Sequence, residues 1–354
     1  MLLSWSLLTG CGTGGEPHAP APTIVDEAVV AIPADRLWGG ELRCRADGCW
    51  LFAIEHEKGA TILHRIARRT IEARATAPTA YHPDGARWID DRYAVAAVEE
   101  SQSLDIFDTA QQQLTRVAQA RVPFAPRNVA VWPAAGGRYW LLALPYAGRQ
   151  VAWWEWDPAQ GLVNEPLVQT WCDEPWYVDA WKASSAALPL PGVLVACNAA
   201  QVVGYVPLKN VAPSRADVAQ ATWQLLRTFP YRSRQLRLTP SQRYLYVTQD
   251  LGAQVARMDT KTGVWSSLAH PSERASSVAP LDDRRVAWGG DRAIHLVEYD
   301  DRGHVRAHRA IPFEGYVEQL QWYDIEGMGS PALLALDLSA TASRVLFDVR
   351  WPKP

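Results

Sequence analysis

Long apolar runs and a one-sided charge are both missing from this sequence. No stretch approaches the roughly 20 consecutive apolar residues that a membrane-spanning helix requires. The 354 residues include 35 basic and 38 acidic side chains, so the formal net charge is −3. The two signs are interspersed along the chain. We therefore expect no nucleic-acid partner, because such partners are bound by basic patches.

Motifs for catalysis or metal binding are also scarce. The eight histidines are scattered, and none belongs to an H-E-x-x-H or another spaced ligand set. No G-x-S-x-G nucleophile elbow is present. His304 and His308 are four residues apart, but a strand turn is predicted there, so they would not share a helix face. We therefore assign no catalytic residue, no metal and no cofactor, and we favour a non-enzymatic protein over an enzyme.

Cysteine is rare, and its positions indicate export. Of five cysteines, Cys11 lies near the N-terminus, and the other four allow three disulfide connectivities. Proximity selects Cys44 with Cys49, across a predicted turn, and Cys172 with Cys197, which close a loop of about 25 residues. The second bridge should stabilise the fold by roughly 3 kcal/mol, because it restricts the freedom of the unfolded chain. The alternative, a structural metal site, lacks paired C-x-x-C motifs and a nearby histidine pair.

The N-terminal stretch predicts the compartment. Residues 1–10 are apolar, and Leu8-Thr9-Gly10-Cys11 resembles the lipobox of bacterial lipoproteins. The resemblance covers four residues and implies cleavage of a signal peptide before Cys11 and lipidation of that cysteine. Gly12 would then favour the outer membrane, facing the periplasm or the cell surface. Because no Lys or Arg precedes the apolar stretch, an ordinary secretory signal or a start further upstream is an alternative.

The rest of the chain divides into a tether and one folded domain. Residues 11–23 are rich in Gly, Pro and Ala without a hydrophobic period, which predicts a flexible tether. Residues 24–354 are expected to fold, since 48% of the chain is hydrophobic. Seventeen Trp against six Phe indicate extensive aromatic packing on sheets.

Units of four short strands repeat along the folded domain. The clearest copy is Arg234–Ser267, in which alternating apolar residues are interrupted by turn sequences. In several units an Arg begins the second strand and an Asp follows the third strand. These pairs are Arg92 with Asp108, Arg138 with Asp157, Arg243 with Asp259, and Arg285 with Asp300. Repeats of roughly 40–50 residues are typical of β-propellers, whose sheets stack around an axis and bury both faces.

These repeats predict an all-β fold, a seven-bladed β-propeller. Thr239–Gln249 resembles the YVTN family of bacterial propeller repeats, and Asp259–Trp265 resembles the turn of quinoprotein-like and WD40-like repeats. The last unit shows three strands, while Ile24–Ile32 has strand composition and no partner of its own. We expect this N-terminal strand to close the last blade, because an open ring would leave two exposed edges.

The loops that lead into the innermost strand of each unit are expected to carry the function, since they converge on the central channel. Arg and aromatic residues together are typical of protein-binding hot spots. The candidate partner-binding residues are Arg127, Asn128, Trp176, Tyr177, Asp179, Tyr231, Arg232, Arg234, Arg274, Tyr316 and Glu318. The alternative is that several of them pack against neighbouring blades.

The sequence thus predicts an envelope lipoprotein, held to the membrane by a lipid anchor, whose propeller is a scaffold or assembly factor for another envelope protein. One alternative is a propeller enzyme related to lactonases or quinoproteins. Another is a module for a small ligand or glycan, suggested by an insertion at Lys209–Asp217 and by the tryptophans of Trp153–Trp156. For those tryptophans we favour burial on alternating strand faces under the next blade.

Overall fold

The structure is a computed structural model, and it describes residues 28–45, 48–67, 70–250, 254–269, 274–323, 331–337 and 343–352. The predicted signal peptide 1–10, the lipidation site Cys11 and the tether 11–23 lie outside the described residues. Residues 24–27 of the predicted N-terminal strand also lie outside them. That strand is described from Ala28 and forms β1 (Ala28–Ala31).

Five antiparallel sheets each consist of four strands that are consecutive in the sequence. The first sheet contains β2 (Leu37–Arg45), β3 (Gly48–Glu55), β4 (Ala60–Ala67) and β5 (Thr70–Pro78). The second contains β6 (Pro83–Trp88), β7 (Tyr93–Val98), β8 (Ser103–Asp108) and β9 (Thr115–Arg121). The third contains β10 (Pro126–Pro133), β11 (Tyr139–Pro145), β12 (Gln150–Asp157) and β13 (Gly161–Thr170). The fourth contains β14 (Pro175–Trp181), β15 (Gly192–Cys197), β16 (Val202–Pro207) and β17 (Gln224–Thr228). The fifth contains β18 (Ser233–Leu238), β19 (Tyr244–Gln249), β20 (Gln254–Asp259) and β21 (Trp265–Ala269).

The remaining strands form one sheet of seven strands, in the order β22, β23, β24, β25, β26, β27, β1. They are β22 (Ser277–Pro280), β23 (Arg285–Gly289), β24 (Asp291–Tyr299), β25 (Val305–Tyr323), β26 (Ala332–Asp337) and β27 (Arg344–Phe347). The long strand β25 pairs with β24 over its first part and with β26 from Val317 onward. At the far edge, β1 pairs with β27, with Ala28 opposite Phe347 and Ala31 opposite Arg344. The N-terminal strand therefore completes the last group of strands, as predicted.

The first strand of each sheet lies innermost, and these inner strands surround a common axis. β2, β6, β10, β14, β18, β22 and the second part of β25 contact one another in this order, and β25 also contacts β2. Hydrogen bonds join the last sheet to the first. Gln319 Nε2 donates to Gly40 O at 2.6 Å, and Leu42 N donates to the hydroxyl of Tyr323 at 2.7 Å.

Tryptophan fills the space between neighbouring sheets, as the composition predicts. Trp50, Trp140, Trp153, Trp171 and Trp288 are completely buried. In the run Trp153–Trp156, Trp153 packs toward the fourth sheet and Trp154 and Trp156 pack toward the second. All three rings are at least nine-tenths buried. The run therefore belongs to the core, and it gives no support to a glycan-binding surface.

The aligned Arg and Asp residues form ion pairs in three repeats. Arg92 lies 2.6 Å from Asp108, Arg138 lies 3.1 Å from Asp157, and Arg243 lies 2.6 Å from Asp259. Each pair ties the start of a second strand to the turn after the third. In the fourth predicted pair, Arg285 binds Asp282, three residues earlier, at 2.6 Å, and not Asp300. The carboxylate of Asp282 also accepts the backbone N–H of Arg285, so the pair is held within one turn.

Both predicted disulfides, Cys44–Cys49 and Cys172–Cys197, are present. The predicted insertion at Lys209–Asp217 leads into the helix α1 (Arg215–Gln220), which is capped by Ser214. Trp132 and Trp140 of the third sheet donate hydrogen bonds to carbonyl groups of this segment, so it packs on the side of the ring. Among the described helices, none has the length and apolar character needed to cross a bilayer.

Candidate functional site

β-Bulges occur near the start of most inner strands, where pairing with the second strand of the sheet shifts by one residue. The extra residues are Trp38 in β2, Asp84 in β6, Arg127 in β10, Trp176 in β14 and Glu318 in β25, and in β18 the shift spans Arg234 and Gln235. A bulge turns a side chain out of the regular alternation. Here it directs polar and aromatic side chains to one end of the channel, which we call the upper face.

Two glycines allow the inner strands to approach each other at the upper face. A Cβ atom at Gly39 would lie 2.7 Å from the carbonyl oxygen of Asp84, and one at Gly85 would lie 2.7 Å from Asn128 Oδ1. Neither position could hold a larger residue without separating the strands. The side chain of Asn128 also bridges two sheets, since its Nδ2 donates to Trp176 O at 3.0 Å.

Glu318 lies at the centre of a buried cluster that also contains Arg127, Tyr177 and Arg234; we call it the Glu318 cluster. The Tyr177 hydroxyl donates to Oε1 of Glu318 at 2.8 Å, and the guanidinium of Arg234 binds Oε2. Nη2 of Arg127 lies 3.8 Å from Oε1. Because a buried carboxylate requires partners, this arrangement ties the last sheet to three others across the channel. The cavity beside it measures about 10 Å³, close to the space for one water molecule.

The electrostatics of the Glu318 cluster suit a structural tie. Burial raises the pKa of Tyr177 to about 12, and the charge of Glu318 adds to this effect. Burial lowers the pKa of Arg234, but Glu318, together with the smaller contributions of Tyr316, Tyr177 and Asp250, outweighs it, and the pKa is raised overall. Tyr177 is therefore neutral and Arg234 charged at physiological pH. Neither group titrates in the range that general acid–base catalysis requires.

Aromatic rings pack on the arginines of this cluster, and a further arginine, Arg274, lies beside it. The Arg127 guanidinium lies 4.0 Å from the ring centroid of Trp176 and 5.4 Å from that of Tyr146. Arg234 and Arg274 lie 5.1 and 5.5 Å from the ring centroid of Tyr316. Cation–π contacts of this kind hold the guanidinium groups in place and leave little freedom to lose when a partner binds.

The rim of the upper face is aromatic. The exposed tyrosines of the chain are Tyr81, Tyr146 and Tyr231, with 47, 42 and 44% of their surface accessible. All three lie in loops at the upper ends of strands. Arg232 is exposed beside Tyr231, and Trp176 is half-buried next to Arg127. The upper face is thus closed at its centre and presents tyrosine and arginine side chains at its rim.

A second pair of titratable side chains, His56 and Asp84, is buried beside the channel. His56 Nδ1 lies 3.0 Å from Asp84 Oδ1 and 3.1 Å from Pro83 O. Burial lowers the pKa of His56, but the hydrogen bond and charge of Asp84, with smaller contributions from other neighbours, raise it above its usual value. The His56 ring stacks between Trp38 and His82, at centroid distances of 3.9 and 4.4 Å. Tyr81 packs on His82 at 4.2 Å, which extends the stack to the rim.

The opposite end of the channel opens into a larger cavity, which we call the lower cavity. Its volume is about 710 Å³, and residues near the ends of all the inner strands line it. The charged side chains in its lining are Arg43, Arg87, Lys182, Arg237, Glu41 and Asp179. Sequence reasoning missed this cavity, because these residues come from separate repeats and occupy ordinary strand positions. The sequence did contain one indication of it: Arg43 and Arg87 each stand between apolar residues within a predicted inner strand.

Ten of the eleven predicted partner-binding residues lie at or near the upper face. Tyr231 and Arg232 are exposed there, whereas Asn128, Tyr177, Arg234 and Glu318 are buried. Arg127 packs on Trp176, and Arg274 packs on Tyr316. Asp179 lies elsewhere, in the lining of the lower cavity, because it is four residues into β14 and a strand advances about 3.3 Å per residue. Its Oδ2 accepts the N–H of Leu238 at 2.7 Å.

Sequence reasoning also missed the His56–Asp84 pair, since the two residues lie in different sheets. A local signal did exist. In Pro83-Asp84-Gly85, Pro126-Arg127-Asn128 and Pro175-Trp176-Tyr177, a proline begins the inner strand and the next residue occupies the bulge. Within the described parts of the chain, no group of three or more His, Cys, Asp or Glu side chains is arranged to hold a metal ion.

Consecutive four-stranded sheets around a central channel define a β-propeller, and solved structures agree. Hydrazine synthase of Kuenenia stuttgartiensis is 12% identical, with a TM-score of 0.63 over 90% of this chain and 97% of that chain. The β-propeller domain of Cps50 (Swd1) from Myceliophteria thermophila is 11% identical, with a TM-score of 0.63 over 92% of this chain and 100% of that chain. A streptogramin B lyase is 9% identical, with a TM-score of 0.61 over 92% of this chain and 97% of that chain.

At these identities the likeness establishes the fold alone. No protein-family model matches the sequence, and no curated protein matches it either.

Proposed function

We propose that this chain is a seven-bladed propeller that acts as a protein-docking scaffold through the rim of its upper face. The sixth and seventh blades share the long strand β25, and β1 supplies the outer strand of the seventh. The observation that carries the docking proposal is the position of Tyr81, Tyr146 and Tyr231, the exposed tyrosines, around one closed end of the channel.

Several properties of the rim support a protein partner. Tyrosine has a large apolar ring and loses little conformational freedom on binding. The cavity beside the Glu318 cluster measures only about 10 Å³, which favours a partner that binds across the rim over a small ligand bound within it. Trp176, next to Tyr146, has its Nε1 hydrogen-bonded to Tyr146 O at 3.1 Å, which holds the two aromatic side chains together. A preorganised aromatic and arginine surface is typical of binding hot spots.

The proposal includes attachment to a bacterial envelope. The lipobox-like Leu8–Cys11 supports a lipid anchor at Cys11, with the outer membrane as the expected location. The disulfides Cys44–Cys49 and Cys172–Cys197 support an oxidising compartment. The partner would then be another envelope protein.

Affinity purification of the tagged full chain from detergent-solubilised envelopes, followed by mass spectrometry, tests the proposal. The informative variant changes Tyr81, Tyr146 and Tyr231 to Ala, since these rings are exposed and their removal should leave the fold intact. Arg234 and Tyr316 are unsuitable, because they pack within or against the Glu318 cluster. The matched control is Val264→Ala, on an exposed turn away from the rim with 65% of its surface accessible.

We expect a stoichiometric partner with the wild type and with Val264→Ala, and its loss with the triple Tyr variant. Equal recovery of the partner by all three proteins would exclude the rim as the docking surface. Absence of any stoichiometric partner from wild-type extracts would refute the scaffold function itself.

A further inference from the structure

The lower cavity has an unusual balance of charge. Its lining contains four basic side chains, Arg43, Arg87, Lys182 and Arg237, and two acidic ones. Its volume of about 710 Å³ is within the range of cavities that hold small organic ligands. An excess of cations inside a concave surface attracts anions, because the field is concentrated there and water screens it less.

The two acidic side chains are already occupied. Glu41 Oε2 accepts the N–H of Trp88 at 2.7 Å. The two oxygens of Asp179 accept the N–H groups of Ala180 and Leu238, each at 2.7 Å. The bonds to Trp88 and Leu238 tie neighbouring inner strands together and engage both carboxylates with backbone N–H groups.

Arg87 and Arg237 therefore lack an ionic partner. Among the described residues, no carboxylate oxygen lies within 4.0 Å of either guanidinium. Arg87 Nη1 donates to Ala86 O at 2.7 Å, and Arg237 Nη1 approaches Val178 O at 3.4 Å. Within the described parts of the chain, the other nitrogens of the two guanidinium groups have no acceptor, and both side chains line the cavity.

Burial makes two guanidinium groups without a bound anion energetically unfavourable. Both side chains are half-buried. Burial lowers the pKa of Arg87, and the nearby charge of Arg237 opposes the favourable effect of Glu41. Both side chains line the same cavity, so two like charges share one partly desolvated site. A negatively charged group between them would relieve the repulsion and satisfy the free N–H groups.

We propose that the lower cavity is a binding site for a small organic anion whose carboxylate or phosphate group is held between Arg87 and Arg237. Guanidinium groups bind either anion through paired N–H donors. Apolar and aromatic residues, including Tyr139, Trp322 and Val131, line the rest of the cavity and would contact the body of the ligand. The site goes beyond the proposed scaffold function, which concerns the opposite face.

Isothermal titration calorimetry on the full chain, dialysed free of polyanionic buffers, tests this site. The probes are citrate for the carboxylate arm and inorganic phosphate for the phosphate arm, each against sodium chloride of equal ionic strength. We expect saturable binding of at least one probe, weakening as the salt concentration rises. The probe that binds identifies the group. Absence of saturable binding by both probes at low ionic strength would overturn the proposal.

Variants locate the site. Arg87→Gln and Arg237→Gln should each weaken binding by about tenfold or more, because each removes charged hydrogen bonds to the anion. Arg284→Gln is the matched control, since it removes an exposed cation that pairs with Asp301 outside the cavity lining. Equal weakening by the control would show a general charge effect and overturn the site. If Arg87→Gln does not fold, the binding measured with Arg237→Gln alone decides whether the proposal stands.

Discussion

At the residue scale, the buried His56–Asp84 pair links the interior of the propeller to its rim. Asp84 occupies the bulge of β6, and His56 lies between the rings of Trp38 and His82. Tyr81, at the exposed end of this stack, belongs to the proposed docking rim. The buried imidazole of His56 is therefore connected, through the ring of His82, to Tyr81, which the proposed partner would contact.

We predict that the contribution of this pair to stability depends on pH. The pKa of folded His56 is raised above its usual 6.5, so the stabilisation is complete below pH 6.5 and is lost as the pH rises through the folded-state pKa. Asp84→Asn should therefore lower the free energy of unfolding by about 1.5–3 kcal/mol at pH 5.5, the range for a hydrogen bond to a charged group. Its effect should shrink toward pH 9. Urea unfolding across this pH range measures the difference.

The control for this prediction is Asp300→Asn. Asp300 also binds a histidine, His304, at 3.1 Å, but the pair is on the surface. Solvent screens such pairs, so this variant should leave the unfolding free energy nearly unchanged at every pH. An effect of Asp84→Asn that stays constant from pH 5.5 to 9 would contradict the role of His56.

At the element scale, the two disulfides constrain different parts of the ring. Cys44 and Cys49 lie directly opposite each other in the hairpin of β2 and β3, where backbone pairing already holds the strands together. Cys172 follows β13, and Cys197 ends β15. The second bridge thus ties the link between the third and fourth sheets to the fourth sheet, over a sequence separation of 25 residues.

We predict unequal losses on removing the bridges. Replacing Cys172 and Cys197 by Ala should lower the free energy of unfolding by about 3 kcal/mol, because the unfolded chain regains the freedom of a long loop. Replacing Cys44 and Cys49 by Ala should cost about 2 kcal/mol, since the loop closed is short. Denaturant unfolding of both double variants checks the order. A larger loss for the Cys44–Cys49 bridge would contradict this loop-entropy argument.

At the scale of the whole molecule, the ring is held together by contacts that are distant in sequence. Glu318 binds side chains of three other sheets, Gln319 binds Gly40, and β1 pairs with β27. Ile32, just after β1, is 2% exposed, and its N–H donates to Ser343 O at 2.9 Å. The N-terminal segment therefore covers an edge that would otherwise be open.

We predict that closure by this segment stabilises the whole propeller. Deleting residues 24–33 should lower the melting temperature sharply, because β27 becomes an exposed edge and apolar surface is uncovered. Ile32→Ala should cost about 2–5 kcal/mol, as for other large-to-small changes in a core. Val29→Ala, on the outward side of β1 with 46% of its surface accessible, should stay within about 0.5 kcal/mol of the wild type. An unchanged melting temperature after the deletion would refute this role.

The candidate sites differ in how far the sequence predicts them. Tyr231 and Arg232 could be placed on the upper face, because they precede a recognisable inner strand and local turn chemistry decides such positions. That Arg234 is buried against Glu318 could not be predicted, since the two residues are 84 positions apart. The position of Asp179 could not be predicted either, because only a few residues of one strand separate one end of the channel from the other.

The sequence by itself determined the all-β repeat, the disulfide pairs, the burial of the tryptophans and the pairing of the N-terminal strand. The first three depend on local alternation, on turns or on short separations, which a linear pattern records. The pairing of the N-terminal strand spans almost the whole chain, and it was predicted because this strand had no partner of its own and the last unit showed only three strands. The tertiary structure alone decided the Glu318 cluster, the His56–Asp84 pair and the lower cavity with Arg87 and Arg237. These arise where bulges and strand ends from different sheets meet at one axis, and the relative rotation of the sheets is set by packing between them.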